Sequence, residues 1–83
     1  MRVILKPELY QIKNGFGASL PELHLAAHGD SAELAKRNFE KLIFLFLRAF
    51  EREGTLEDEV WGLETKGVKV ERDGPSLAVI IED

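Results

Sequence analysis

The chain has 83 residues, no cysteine and a net charge of −4 from fifteen acidic and eleven basic residues. This length predicts one domain over 1–83, with a small core that depends on good packing or on a partner. The absence of cysteine excludes disulfides and thiolate metal sites. The negative charge disfavours direct binding of nucleic acid and favours a basic protein partner.

The first part of the chain is typical of strands joined by turns. Arg2 to Leu5 predicts a strand, and Pro7 either places it at a sheet edge or makes the pairing begin afresh at 9–12, because proline donates no hydrogen bond. Asn14-Gly15 predicts a tight hairpin turn into a second strand at 16–20. Pro21-Glu22 predicts a corner, and residues 23–28 are the predicted third strand.

A long amphipathic helix is predicted between Asp30 and Gly54. Asp30 with Glu33 is a capping pattern for its start, and Gly54 is the expected end because glycine adopts the left-handed conformation readily. A helix of this kind buries one stripe against a sheet. The predicted stripe contains Ala32, Ala35, Phe39, Leu42, Ile43, Phe46 and Phe50.

The same helix has apolar residues outside that stripe. Leu34, Phe44 and Leu45 point away from it, so residues 42–47 are apolar on nearly every side. We interpret these three residues as an interface that joins copies of the chain into a homodimer or tetramer. The alternative is that the C-terminal segment 55–83 covers them, either within one chain or by exchange between two chains.

After the helix, a single turn and a second hairpin are predicted. Thr55 with Asp58 favours a cap for one turn that ends at Gly62, and Trp61 is interpreted as a cover over one end of the core. Residues 68–70 and 77–81 are the predicted hairpin strands, joined by a turn at 73–76, with 77–81 in the centre of the sheet. The expected fold class is therefore α+β, with an antiparallel sheet of four to five strands in the order β-β-β-α-β-β and one long helix on one face.

Few residues indicate chemistry, and we expect no catalytic site, metal or cofactor. His24 and His28 fall in one predicted strand, where four residues span about 13 Å, too far to hold one ion together. No serine or threonine has a histidine at a spacing that guarantees proximity, so we expect that the chain is not an enzyme.

A run of acidic residues follows the helix. It consists of Glu57, Asp58, Glu59 and Glu64. Because no basic residue lies between Gly54 and Lys66, this acidic patch is a candidate contact for a basic protein partner. The alternative is a solvated surface without a partner.

Three segments together resemble a known family. They are Gly15-Phe16-Gly17-Ala18-Ser19-Leu20-Pro21-Glu22-Leu23, His28-Gly29-Asp30-Ser31 and Ala32-Glu33-Leu34-Ala35, followed by Asn38. In this order and spacing they are similar to the small HicB-like antitoxin domain, over roughly residues 3 to 53. The resemblance implies an α+β fold, an assembly of two or four chains, and neutralisation of a small RNA-cleaving toxin by covering it, without catalysis.

The chain also departs from that family. Where the family usually has Pro-Gly-Cys after the corner, this sequence has His24-Leu25-Ala26-Ala27. Family members with autoregulation add a C-terminal DNA-binding domain, and residues 55–83 are too acidic and too short for one, so we expect no direct contact with nucleic acid.

Two functions are therefore expected. The first is a cytoplasmic protein-binding module of the antitoxin type, with a small basic ribonuclease as its partner. The alternative is a stand-alone homo-oligomer of unknown ligand, outside any toxin-antitoxin pair. No membrane contact is expected, because the longest apolar run has six residues and a span takes about 20.

Overall fold

The computed structural model describes residues 1–74 and 76–82 and contains two three-stranded sheets with two α-helices. In chain order the elements are β1 (Arg2–Leu5), β2 (Glu8–Ile12), β3 (Gly15–Leu20), β4 (Leu25–Gly29), α1 (Ala32–Glu53), α2 (Leu56–Thr65), β5 (Lys69–Glu71) and β6 (Ala78–Ile81). The predicted α+β class is confirmed. The prediction of a single sheet of four to five strands with one helix is wrong in both respects.

Strands β2, β3 and β4 form the first sheet, called the local sheet here, and each pairs antiparallel with its neighbour in sequence. Strand pairing begins afresh after Pro7, which is one of the two predicted alternatives. The hairpin turn lies one residue earlier than expected, because Ile12 pairs with Gly15 and leaves Lys13 and Asn14 as the loop. Gly15 instead lets the backbone of β3 lie close to that of β4, since a Cβ on Gly15 would lie 2.4 Å from the carbonyl oxygen of Gly29.

The predicted corner is a single 3₁₀ turn at Pro21–Leu23. It is closed by His24, which has a left-handed backbone (φ 54°) and donates its N–H to the carbonyl of Pro21 at 3.0 Å. Strand β4 therefore starts at Leu25, two residues later than predicted.

Strands β5, β1 and β6 form the second sheet, called the terminal sheet here. The predicted hairpin between the last two strands is wrong, because β1 lies between them, antiparallel to β5 and parallel to β6. Strand β6 is therefore at an edge of the sheet and not at its centre. Of the predicted turn at 73–76, Pro75 lies outside the described residues.

Helix α1 begins one residue later than the predicted cap implies. The cap is Ser31 and not Asp30: Ser31 has an extended backbone, and its Oγ accepts the N–H of Leu34 at 3.1 Å. The predicted end is confirmed, because Gly54 has φ 77° and its N–H bonds back to the last turn.

The core lies between α1, the sheets and α2. From α1 it takes Ala35, Phe39, Ile43 and Leu47, which are fully buried. Leu47 was not part of the predicted stripe, whereas Phe46 and Phe50 are only half-buried and stack edge to face, with ring centroids 5.1 Å apart. The buried row of α1 is thus turned relative to the prediction, because α2 also packs against this helix and adds two buried residues, Val60 and Leu63.

Helix α2 has ten residues, where a single turn was expected. Gly62 lies inside it and does not end it, and the hydroxyl of Thr65 donates to the carbonyl of Gly62 at 2.7 Å. Thr55 precedes the helix without forming a side-chain cap. In the described part of the chain, neither helix is both long and apolar enough to cross a membrane.

Candidate protein-binding surface

Helix α2 combines a buried apolar side with an exposed side that carries the only tryptophan. Val60 and Leu63 anchor the helix in the core at 0% and 1% exposure. Trp61 lies between them in sequence, so the helical period turns its indole outward. Its side chain is 68% exposed, the most exposed of the large apolar residues described. The interpretation of Trp61 as a cover over the core is therefore wrong.

Three of the four residues of the predicted acidic patch surround this tryptophan. Residues three or four positions apart are neighbours on a helix surface, which places Glu57, Asp58 and Glu64 beside the indole. Glu59 points elsewhere and is half-buried. Helix α2 thus assembles one surface of an exposed aromatic ring among carboxylates. We call residues Glu57, Asp58, Trp61 and Glu64 the Trp61 surface.

Two of these carboxylates already have a partner within the chain. The guanidinium of Arg72, just after β5, donates to both oxygens of Glu64 at 2.7 and 3.1 Å and to Glu57 at 3.3 Å. Sequence reasoning found no nearby base for the acidic patch, since Arg72 is eight and fifteen residues away. The pairing becomes visible only because β5 packs beside α2.

These ion pairs set the charge of the surface. The hydrogen bond from Arg72 holds the pKa of Glu64 below its ordinary value, and the two glutamates raise the pKa of Arg72. Glu64 and Arg72 therefore stay charged at neutral pH. Within the described residues Asp58 has no ion-pair partner, and one guanidinium faces two glutamates, so the surroundings of Trp61 remain negative.

An exposed indole among carboxylates can bind a cationic side chain. The face of a tryptophan ring attracts arginine and lysine, and an adjacent carboxylate adds a charge-assisted hydrogen bond. The same arrangement repels phosphate groups. The chemistry of the Trp61 surface therefore fits a basic protein better than a nucleic acid.

The three residues of the predicted oligomer interface do not form one continuous patch. Leu45 is 64% exposed and Leu34 is 37% exposed, and three helical turns separate them by about 16 Å. Phe44 is half-buried and lines a groove beside β6 together with Leu77, while the guanidinium of Arg48 lies 6.0 Å from its ring centroid. Phe44 and the C-terminal segment of the same chain thus line one open groove, and both the oligomer interface and its intrachain alternative stay predictions.

The two histidines lie on different elements. His24 closes the 3₁₀ turn, and His28 lies on β4, where its ring meets Tyr10 edge to face at 6.4 Å. Among the residues that the structure describes, no three histidine or acidic side chains come close enough to hold a metal ion.

Comparisons with protein-family models, with curated proteins and with solved structures found no match to this chain.

Proposed function

We propose that this chain is a non-catalytic protein-binding module that works in the cytoplasm and neutralises a small, basic, RNA-cleaving toxin by covering it. The class of partner comes from the resemblance to HicB-like antitoxins. The observation that carries the proposal is the 68% exposure of Trp61 among Glu57, Asp58 and Glu64.

Tryptophan is the residue most suited to anchor a protein contact. Burying it against a partner removes a large apolar area from water, and tryptophan is enriched among the residues that dominate binding energies. The carboxylates around it select a partner that presents arginine or lysine. A protein that binds and cleaves RNA carries such cations on its active face, so occupying them blocks access of the RNA.

The test is co-expression with a small basic ribonuclease encoded beside this chain, with growth rescue and the dissociation constant of the purified complex as readouts. We expect the chain to restore growth. Trp61→Ala should cost about 2 kcal/mol of binding free energy or more, roughly a thirtyfold weaker complex. Asp58→Asn should weaken the complex less and reduce its salt dependence.

Leu45→Ala is the matched control, because it truncates an apolar side chain of similar exposure on a different helix. Glu57 and Glu64 are left intact, since replacing them would also release Arg72. A complex weakened equally by Leu45→Ala and Trp61→Ala would contradict a contact centred on α2. No rescue and no complex would refute the antitoxin function.

The second candidate function is a stand-alone homo-oligomer of unknown ligand. It is favoured by a specific feature, the open edge of β6 beside a partly apolar groove. A chain that self-associates but binds no ribonuclease would match this candidate.

A further inference from the structure

Strand β6 has an open edge. On the side of β6 that faces β1, the N–H groups of Ala78 and Glu82 donate to the carbonyl oxygens of Met1 at 2.9 Å and of Leu5 at 2.8 Å. Backbone groups alternate in direction along a strand, so those of Val79 and Ile81 point away from β1. No hydrogen bond between described residues reaches these outward groups.

Among the described residues, none within β6 itself supplies a feature that usually protects such an edge. Natural edge strands carry charged residues, proline or a covering side chain. At the edge of β4 such a cover exists, because the side-chain amide of Asn38 donates to the carbonyl of His28 at 2.8 Å. The sequence of β6 is Ala-Val-Ile-Ile, and its four residues are uncharged and rich in β-branched side chains that favour pairing.

A groove runs beside the open edge. It has a volume of about 400 Å³ and lies between α1 and the start of β6. Its lining is Arg37, Glu40, Lys41, Phe44, Leu77, Ala78 and Val79. An apolar side chain entering next to Val79 would therefore meet Phe44 and Leu77 on one side and charged groups at the rim.

We propose that a second copy of this chain binds here by adding its own β6 antiparallel to this one, so that two terminal sheets become one six-stranded sheet. The backbone sets the register. Val79 and Ile81 are the outward-facing residues inside the strand, and pairing Val79 with Ile81 of the second copy gives four hydrogen bonds within β6. The two-fold axis then passes through Ile80.

In this register, apolar side chains of the two copies meet on both faces of the joined sheet. On the side of α1, Ile81 of the second copy lies beside Val79 and enters the groove next to Phe44. On the opposite side, Ile80 is paired in register with Ile4 of β1, and both are half-buried. The two-fold axis at Ile80 places the same pair of the second copy alongside, which gives a continuous row of four isoleucines.

The charges favour a second copy over an unrelated strand. Arg2 lies beside Ala78 in the sheet and is paired on its other side with Glu71. In the proposed register Glu82 of the second copy falls opposite Ala78, within reach of Arg2. The same contact is repeated by symmetry, so one strand supplies both halves of the interface.

The absence of cysteine provides a direct test. Facing residues of a non-hydrogen-bonded antiparallel pair have Cα atoms about 4.5 Å apart, within the range of a disulfide. Ile80→Cys should therefore form a covalent dimer under mild oxidation at micromolar concentration. Ile4→Cys, on the same face but one strand from the edge, and Leu45→Cys, on the exposed side of α1, should stay largely uncrosslinked.

A second test of the dimer uses amide exchange of the wild-type protein. Amide exchange at Val79 and Ile81 should slow as the protein concentration rises, whereas the exposed amides of β2 should not change. A wild-type chain that stays monomeric by light scattering would overturn the proposal. Folded Ile80→Cys protein that crosslinks no faster than the Leu45→Cys protein would also overturn it. The dimer is independent of the proposed function, since Trp61→Ala should leave crosslinking at residue 80 intact.

Discussion

The local sheet and the terminal sheet have the same number of strands but are assembled in different ways. The local sheet joins strands that follow one another, with a two-residue loop between β2 and β3 and one short turn before β4. The terminal sheet joins the first residues to the last, as in the pairing of Val3 with Val70 and Val79.

This difference determines how each sheet depends on the rest of the molecule. Closing a hairpin costs little chain entropy, whereas pairing β1 with β5 and β6 closes loops that contain most of the chain and costs more. The terminal sheet should therefore rely on its buried side chains. The local sheet should rely on the close fit of its backbone against α1.

The largest expected effect is the loss of a core side chain from the terminal sheet. Leu5 in β1 is 1% exposed, and Leu5→Ala should lower the free energy of unfolding by about 2–5 kcal/mol because it leaves a cavity. Ile4→Ala is the control: Ile4 lies on the opposite face and is half-buried, so its loss should be less than half as large. Urea unfolding measures both, and equal losses would show that the core does not lie on the Leu5 side.

An intermediate effect is expected where the local sheet meets α1. A Cβ on Gly29 would lie 2.6 Å from the backbone nitrogen of Ala35, and backbone cannot move aside easily. Gly29→Ala should therefore destabilise the fold by about 1–3 kcal/mol.

Gly17→Ala is its matched control in the same sheet. The added methyl would meet the ring of Tyr10 at 2.3 Å, and that exposed ring can rotate away. If thermal unfolding shows the two variants to be equally destabilised, the fit of β4 against α1 is not what stabilises the local sheet.

The smallest expected effect concerns the ion pairs that tie α2 to the end of β5. Arg72→Gln removes the partner of Glu64 and Glu57. Because the folded pKa of Glu64 is lowered from its usual 4.5, the pair stabilises the fold above that pH and loses its effect as the pH falls through the lower folded pKa. The melting temperature of Arg72→Gln should therefore lie slightly below wild type at pH 7 and approach it near pH 3.

Arg52→Gln serves as the control for that comparison, since Arg52 is exposed at the end of α1 and its replacement leaves α2 untouched. If the melting temperatures of Arg72→Gln and wild type still differ at pH 3, Arg72 acts through packing and not through its charge.

Features that depend on residues close together in the chain could be predicted from the sequence. Pro21 marked the corner, Gly54 marked the end of α1, and Ile12 and Phe16 lie on either side of a hairpin turn displaced by one residue. These features follow from local backbone preferences, which act the same way whatever the rest of the fold does. The apolar period of α1 likewise predicted a long buried helix, although not the direction of its buried row.

Contacts between residues far apart in the chain depend on the whole fold and could not be predicted in this way. The pattern of 77–81 is that of a buried strand, but nothing in it shows that β1 would pair with β6 and leave the other edge open. The exposure of Trp61 depended on α2 extending through Gly62, and the pairing of Arg72 with Glu64 depended on β5 lying beside that helix. Which of these contacts form depends on how all parts of the chain pack into one small core, so a local sequence pattern does not predict them.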